Sequence, residues 1–206
     1  MKSGRTTAVL WRRLDRPGHE TARLQRAGTG WELDGAAVFF HRKEPCSLTY
    51  RIGCDSNWRT RSVEVAGWLG KKTIRVEAKV GRAGVWKVGG DEVSRIEGCV
   101  DVDLNFSPST NLLPIRRLKI AVGEEREVRA AWLEFPTFRF EPLVERSIWK
   151  WCHHCETRQI NFRLHRELGS LQKNVRPVII ETKDEATLQR DAVRVQALHD
   201  ARVVVG

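Results

Sequence analysis

This sequence predicts a mainly β fold, built on an antiparallel sheet that meanders and curls. Three observations carry the expectation. From Thr7 to about Leu143, short runs of β character are separated by Gly, Pro, Asn or Asp. No helical period interrupts that succession. Within Thr73–Val80, the apolar Ile74, Val76, Ala78 and Val80 alternate with Arg75, Glu77 and Lys79, the period of two that puts one strand face in a core and the other in water.

Taken in order, Thr21–Arg26 alternates, and so does Trp31–Asp34, which Gly35 separates from Ala36–Phe40. Cys46–Cys54 and Trp58–Val65 form a pair joined at Asp55-Ser56-Asn57, whose side chains can bond a tight turn's backbone. Val85–Val88, Cys99–Leu104, Lys119–Val122, Glu127–Glu134 and Phe138–Phe140 continue the series. The character changes near Arg146. Glu156–Gln172 reads as a helix, and so does Asp184–Ala201, where Leu188, Ala192, Val195 and Leu198 recur at helical spacing behind the capping pattern Thr182-Lys183-Asp184-Glu185. Between them Pro177–Ile180 reads as a strand. The expected organisation is a β domain over residues 1–146 and a divergent, partly helical tail over 147–206.

Composition narrows the function classes. The chain has 206 residues, 41% hydrophobic and 30% charged, which is ordinary for a globular protein with a real core. No apolar run approaches the ~20 residues that span a bilayer. Ala8-Val9-Leu10-Trp11 is too short for the core of a secretion signal, so the expected location is the cytoplasm. Five cysteines, an odd number, then imply reduced thiols. The net charge of +10 favours acidic partners, but the Lys and Arg are scattered along strands among Glu and Asp, which argues against nucleic acid. Eight Trp against one Tyr suit the walls of a core or a pocket.

The most distinctive stretch is Gly98–Leu118. Asp101 and Asp103 fall on one strand face, with Val100, Val102 and Leu104 on the other. Ser107-Pro108 stops the strand, Ser109-Thr110-Asn111 offers local hydrogen bonds, and Pro114 opens an extended or short helical segment ahead of Arg116 and Arg117. Here Cys99-Val100-Asp101-Val102-Asp103-Leu104-Asn105-Phe106-Ser107-Pro108-Ser109-Thr110-Asn111-Leu112-Leu113-Pro114-Ile115-Arg116-Arg117-Leu118 resembles the family called "putative glycolipid-binding". Trp11–Asp15, Tyr50–Asp55, Trp58–Arg61, Ala121–Glu124 and Val128–Pro136 add to the resemblance, which covers about residues 8–145. It implies a spiral β-roll, a long antiparallel sheet wrapped around a single helix, together with a homodimer, a glycolipid or other amphiphilic ligand, and no catalytic residues.

An amphiphile needs an apolar hollow with a polar rim, and alternation along strands supplies both. The candidate ligand-binding residues are Arg59, Arg61, Asp101, Asp103, Asn111, Arg116 and Arg117, with Trp58 and Trp132 to stack on a sugar face. Carboxylates and amides take sugar hydroxyls, and Arg takes a phosphate or carboxylate in a fork. Against this stands a plainer role, Asp101 and Asp103 pairing with Arg116 and Arg117 to pin the segment. An enzyme acting on a sugar or nucleotide-sugar through Asp101 and Asp103 is an alternative, as is a structural or regulatory dimer without a ligand. The enzyme reading lacks a Gly-rich phosphate loop, and carboxylates two apart on one strand do not flank a scissile bond. Cys152-His153-His154-Cys155 has half the ligands of a structural zinc site, with no second Cys/His pair to complete it. No metal or cofactor is therefore expected.

Overall fold

The computed structural model describes residues 7–13, 16–81, 83–120, 125–151, 158–165 and 178–181, and side chains as far as residue 143. The strands run β1 (Thr7–Arg13), β2 (Gly18–Ala27), β3 (Gly30–His41), β4 (Glu44–Cys54), β5 (Thr60–Leu69), β6 (Lys72–Val80), β7 (Trp86–Val88), β8 (Asp91–Glu92), β9 (Asp101–Leu104), β10 (Glu125–Glu134), β11 (Arg139–Trp151), β12 (Arg158–His165) and β13 (Val178–Glu181). Among the described residues one α-helix, α1 (Leu112–Leu118), follows a 3₁₀ turn at Pro108–Asn111. The fold is mainly β, as the sequence predicts.

Nine strands form the first sheet in the order β13-β1-β2-β3-β4-β5-β6-β7-β8, and four form the second as β12-β11-β10-β9. Among the described residues all pairings are antiparallel except β9 with β10. The sheet is a meander because its connections are short. Four connections place glycine at a left-handed position, Gly28, Gly70, Gly84 and Gly89, where a Cβ would strain the backbone. The expected break at Gly35 is absent: β3 runs straight through it, and a Cβ there would collide with the Tyr50 ring on the neighbouring strand. Gly35 marks a close approach rather than a turn.

The predicted inward and outward alternation holds over most of the first sheet. Leu33, Ala37 and Phe39 of β3, Cys46, Leu48, Tyr50 and Ile52 of β4, and Val63 and Val65 of β5 are buried. On β6, Ile74 and Ala78 are buried and Val76 and Val80 half-buried. These residues join Val102, Leu104, Phe106, Leu113, Ala131, Leu133 and Phe140 in one hydrophobic cluster, so the second sheet and α1 pack into the hollow of the first. Burying such side chains contributes roughly 1.5–3 kcal/mol each. In α1, Pro114 lies in the first turn, where its missing N–H breaks no bond, and Lys119 closes the helix in the left-handed conformation.

Two expectations for the tail change. Arg158–His165 is a strand paired with β11, not part of a helix over Glu156–Gln172. The period was there to read: Ile160, Phe162 and Leu164 alternate with Asn161 and Arg163, and β-branched and aromatic residues favour a strand along an open sheet edge. β11 itself continues unbroken through residue 146. The strand expected at Pro177–Ile180 is present as β13, paired with β1. Asp184–Ala201 and Cys152–Cys155 lie outside the described residues.

Candidate functional site

Two regions of the molecule carry polar chemistry: the interior beneath β1–β4, and the outward face of the nine-stranded sheet.

The interior holds a charged residue on an apolar face. Glu20 falls in the inward series Glu20, Ala22, Leu24 of β2 and is 3% exposed. Its Oε1 accepts hydrogen bonds from the Tyr50 hydroxyl (2.6 Å), Ser107 Oγ (2.7 Å) and Ser109 Oγ (2.8 Å). Ser109 Oγ in turn accepts from Trp11 Nε1 at 2.7 Å. Nearby, Arg13 donates to the Phe106 carbonyl at 3.1 Å. Ser107-Pro108-Ser109 thus dips into the concave side of the sheet and is held there by one carboxyl. Glu20 Oε2 has no hydrogen-bond partner among the described residues. Burial pushes the Glu20 pKa up to about 7, against the hydroxyl bonds that pull it down, and raises Tyr50 well above its ordinary value. Glu20 escapes a reading of the sequence that starts the alternation at Thr21; extending the period one residue back exposes it.

The residues expected to form a polar rim gather in part. The Asp55 turn presents Trp58 with a left-handed backbone (φ +66°), stacked on Trp31 at 4.3 Å between centroids. Arg26 lies over Trp31 at 4.6 Å and Arg116 over Trp58 at 5.8 Å, so each ring of the stacked pair also meets a guanidinium. Trp58 is therefore already engaged by Trp31 and Arg116. Arg61 bonds Asp55 Oδ2 at 2.7 Å, and Arg59 is exposed. Asp101, fully buried, takes the Arg117 fork at 2.9 Å to Oδ1 and 2.5 Å to Oδ2. Desolvation raises the Asp101 carboxyl although the Arg117 fork opposes it. Asp103 is half-buried with its pKa raised to about 7 by loss of solvent. Asn111 is buried at the start of α1, and Trp132, paired in register with Asp103, is 8% exposed and belongs to the packing of β10.

The outward face carries an open depression of about 610 Å³. Register explains its layout. One row across β2–β5 reads Arg23, Asp34, Arg51, Glu64; the next reads Thr21, Ala36, Thr49, Ala66; the third reads His19, Val38, Ser47, Trp68. Consecutive rows are two residues, or ~7 Å, apart. Polarity thus falls along the strands, from charges of alternating sign through a floor of small residues to Val38, Trp68 and Phe40, which are 57%, 43% and 49% exposed. Arg23 and Asp34 form a forked pair with both bonds at 3.2 Å, and Arg51 lies 3.6 Å from Glu32. None of these residues stands out singly in the sequence, because the row exists only once four strands are in register.

Among the described residues, no cluster of three or more His, Cys, Asp or Glu is placed to hold a metal, and no helix is long and apolar enough to cross a membrane.

A family model described as "Putative glycolipid-binding" matches residues 8–147. The fold is similar to a crystal structure of a DUF1089 family protein from Pseudomonas aeruginosa, with a TM-score of 0.50 and 21% identity over 78% of this chain and 83% of that one. No curated protein matches the chain.

Proposed function

The chain belongs to the putative glycolipid-binding family, and from that premise we propose that it binds an amphiphile with a hydroxyl-rich head group, without catalysis, along the outward face of the nine-stranded sheet. The observation that carries this reading is the depression and the graded face around it. Its charged row offers donors and acceptors to hydroxyls, its Ala36 and Ala66 floor leaves room, and the next row along the strands, outside its lining, exposes Val38 and Trp68. The inner face supports it by contrast, since its side chains are taken up by one core cluster and by the Glu20 bonds. An enzymatic role for Asp101 has less support, because both its oxygens are engaged by Arg117.

The test uses delipidated full-length protein, a dodecyl glycoside kept below its micelle concentration, and native mass spectrometry. A one-to-one complex is expected, and Ala66→Trp, which fills the depression from an exposed position, abolishes it. Absence of any complex, or uptake unchanged in Ala66→Trp, refutes the reading.

A further inference from the structure

One end of the nine-stranded sheet combines exposed cations with exposed apolar side chains. The β3–β4 turn is Arg42-Lys43, and the adjacent β5–β6 turn is Gly70-Lys71, followed by Lys72. The second turn lies against the start of β4, since Gly70 N–H donates to the Pro45 carbonyl at 2.9 Å. All four cations are exposed, and the acid beside them is Glu44. On the outward face next to them stand Phe40, Val38 and Trp68, with Pro45 paired to Phe40.

The Arg42-Lys43 turn is strained. Register His41↔Glu44 leaves a two-residue loop, and both its residues have positive φ, +48° and +72°. Such turns favour Asn-Gly. Among the described residues, the sheet's other two-residue turns, Gly28-Thr29, Gly70-Lys71 and Gly89-Gly90, use glycine where φ is positive. Here two long cations take the place that glycine would fill without strain, and strain kept in a fold points to use.

We propose that this end of the sheet docks on an anionic lipid bilayer. Arg42, Lys43, Lys71 and Lys72 meet lipid phosphates, while Phe40 and Trp68 enter the boundary between head groups and acyl chains. Nucleic acid fits less well: Val38 and Pro45 have no stacking role, and the patch is a sheet end rather than a groove that tracks a backbone. The docking surface goes beyond amphiphile carriage and does not require it.

Cosedimentation of the full chain with vesicles of phosphatidylcholine, with and without phosphatidylglycerol, tests the proposal. Binding is expected only with phosphatidylglycerol and weakens with added salt. The double change Arg42→Asn and Lys43→Gly is expected to weaken it about twenty-five-fold, at about fivefold per cation, while raising the melting temperature because the turn relaxes. Phe40→Ser with Trp68→Ser also weakens it and leaves the fold intact. Equal binding to both vesicle types, no binding to either, unchanged binding by the Asn-Gly variant, or tighter binding to an oligonucleotide duplex than to the anionic vesicles overturns the proposal. None of these outcomes depends on uptake of the dodecyl glycoside.

Discussion

Replacing Glu20 by Gln tests the interior polar cluster. Glu20 is fully enclosed, and its pKa rises from 4.5 to about 7 because burial disfavours the charged form more than its three hydroxyl donors favour it. At 1.36 kcal/mol per pH unit, ionised Glu20 costs the folded state on the order of 3 kcal/mol. The sign follows from proton counting. Between 4.5 and about 7 the folded chain keeps this proton while the unfolded chain has released it, so stability falls as pH rises through the window. It is highest below that window and lowest above it. Asp103, also raised to about 7, tilts the wild-type curve the same way, and His41, lowered by burial first and by Arg16 next, tilts it the opposite way. The difference between wild type and Glu20→Gln isolates Glu20. Gln keeps an oxygen for the three donors but brings an amide N–H₂ with no acceptor to meet it, a pH-independent cost of about 1–3 kcal/mol. Urea unfolding followed by tryptophan fluorescence should give wild type the advantage at about pH 5, with the difference shrinking or reversing by about pH 8. A constant difference between the two proteins across that range refutes the reasoning, because Glu20 would then titrate alike in both states.

The remaining predictions concern the buried ion pair and the thiols. Arg117→Ala leaves Asp101 charged, buried and unpaired, and is expected to cost about 3–5 kcal/mol, whereas the double change Asp101→Asn with Arg117→Met recovers most of it; urea unfolding of both reads the difference. Burial raises the Cys46 thiol to about 11 and the Cys54 thiol to about 12, so iodoacetamide at neutral pH should leave both unmodified in the native protein and label them in urea, as peptide mass spectrometry can show.

Local pattern made most of the fold legible. Alternation places Ile74 and Ala78 inward and Arg75 and Glu77 outward without further information, and Asp55-Ser56-Asn57 marks a turn because Asp55 Oδ1 takes the Asn57 and Arg59 N–H groups. Where the reading departs from the structure, the deciding force acts across the chain. Gly35 looks like a break until Tyr50 of the neighbouring strand is seen to need its space. The site was less legible than the fold. Pairing of Asp101 with an Arg of the next segment was a reading the spacing allowed, but which Arg it takes depends on how α1 turns, and α1 gives it Arg117 while sending Arg116 to Trp58. The Arg23-Asp34-Arg51-Glu64 row was not legible at all, since it is a property of register across four strands.

Strand register also divides the sheet into a committed face and an open one. A sheet has two faces, and here the inner one is committed: its hollow receives Leu104, Phe106, Leu113 and Leu133 from the second layer, and its one buried carboxyl holds the Ser107-Pro108-Ser109 segment in place. Opening that interior to a ligand would expose these contacts and leave the Tyr50, Ser107 and Ser109 hydroxyls without Glu20, a cost of about 1–3 kcal/mol for each group that stays buried and unpaired. The outward face imposes no such cost, because Val38, Phe40 and Trp68 already stand in water. Covering them with acyl chains or a bilayer gains roughly 25 cal/mol for each Å² of apolar surface removed. On these proposals carriage centres on the Thr21-Ala36-Thr49-Ala66 row and docking on the Arg42-Lys43 end of the same strands, with Val38, Phe40 and Trp68 open to both. Ala66→Trp should leave vesicle binding unchanged, and the Asn-Gly turn should leave glycoside uptake unchanged. Loss of both activities in either variant would mean that one surface serves for both, with the acyl chain leaving the depression directly between Phe40 and Trp68.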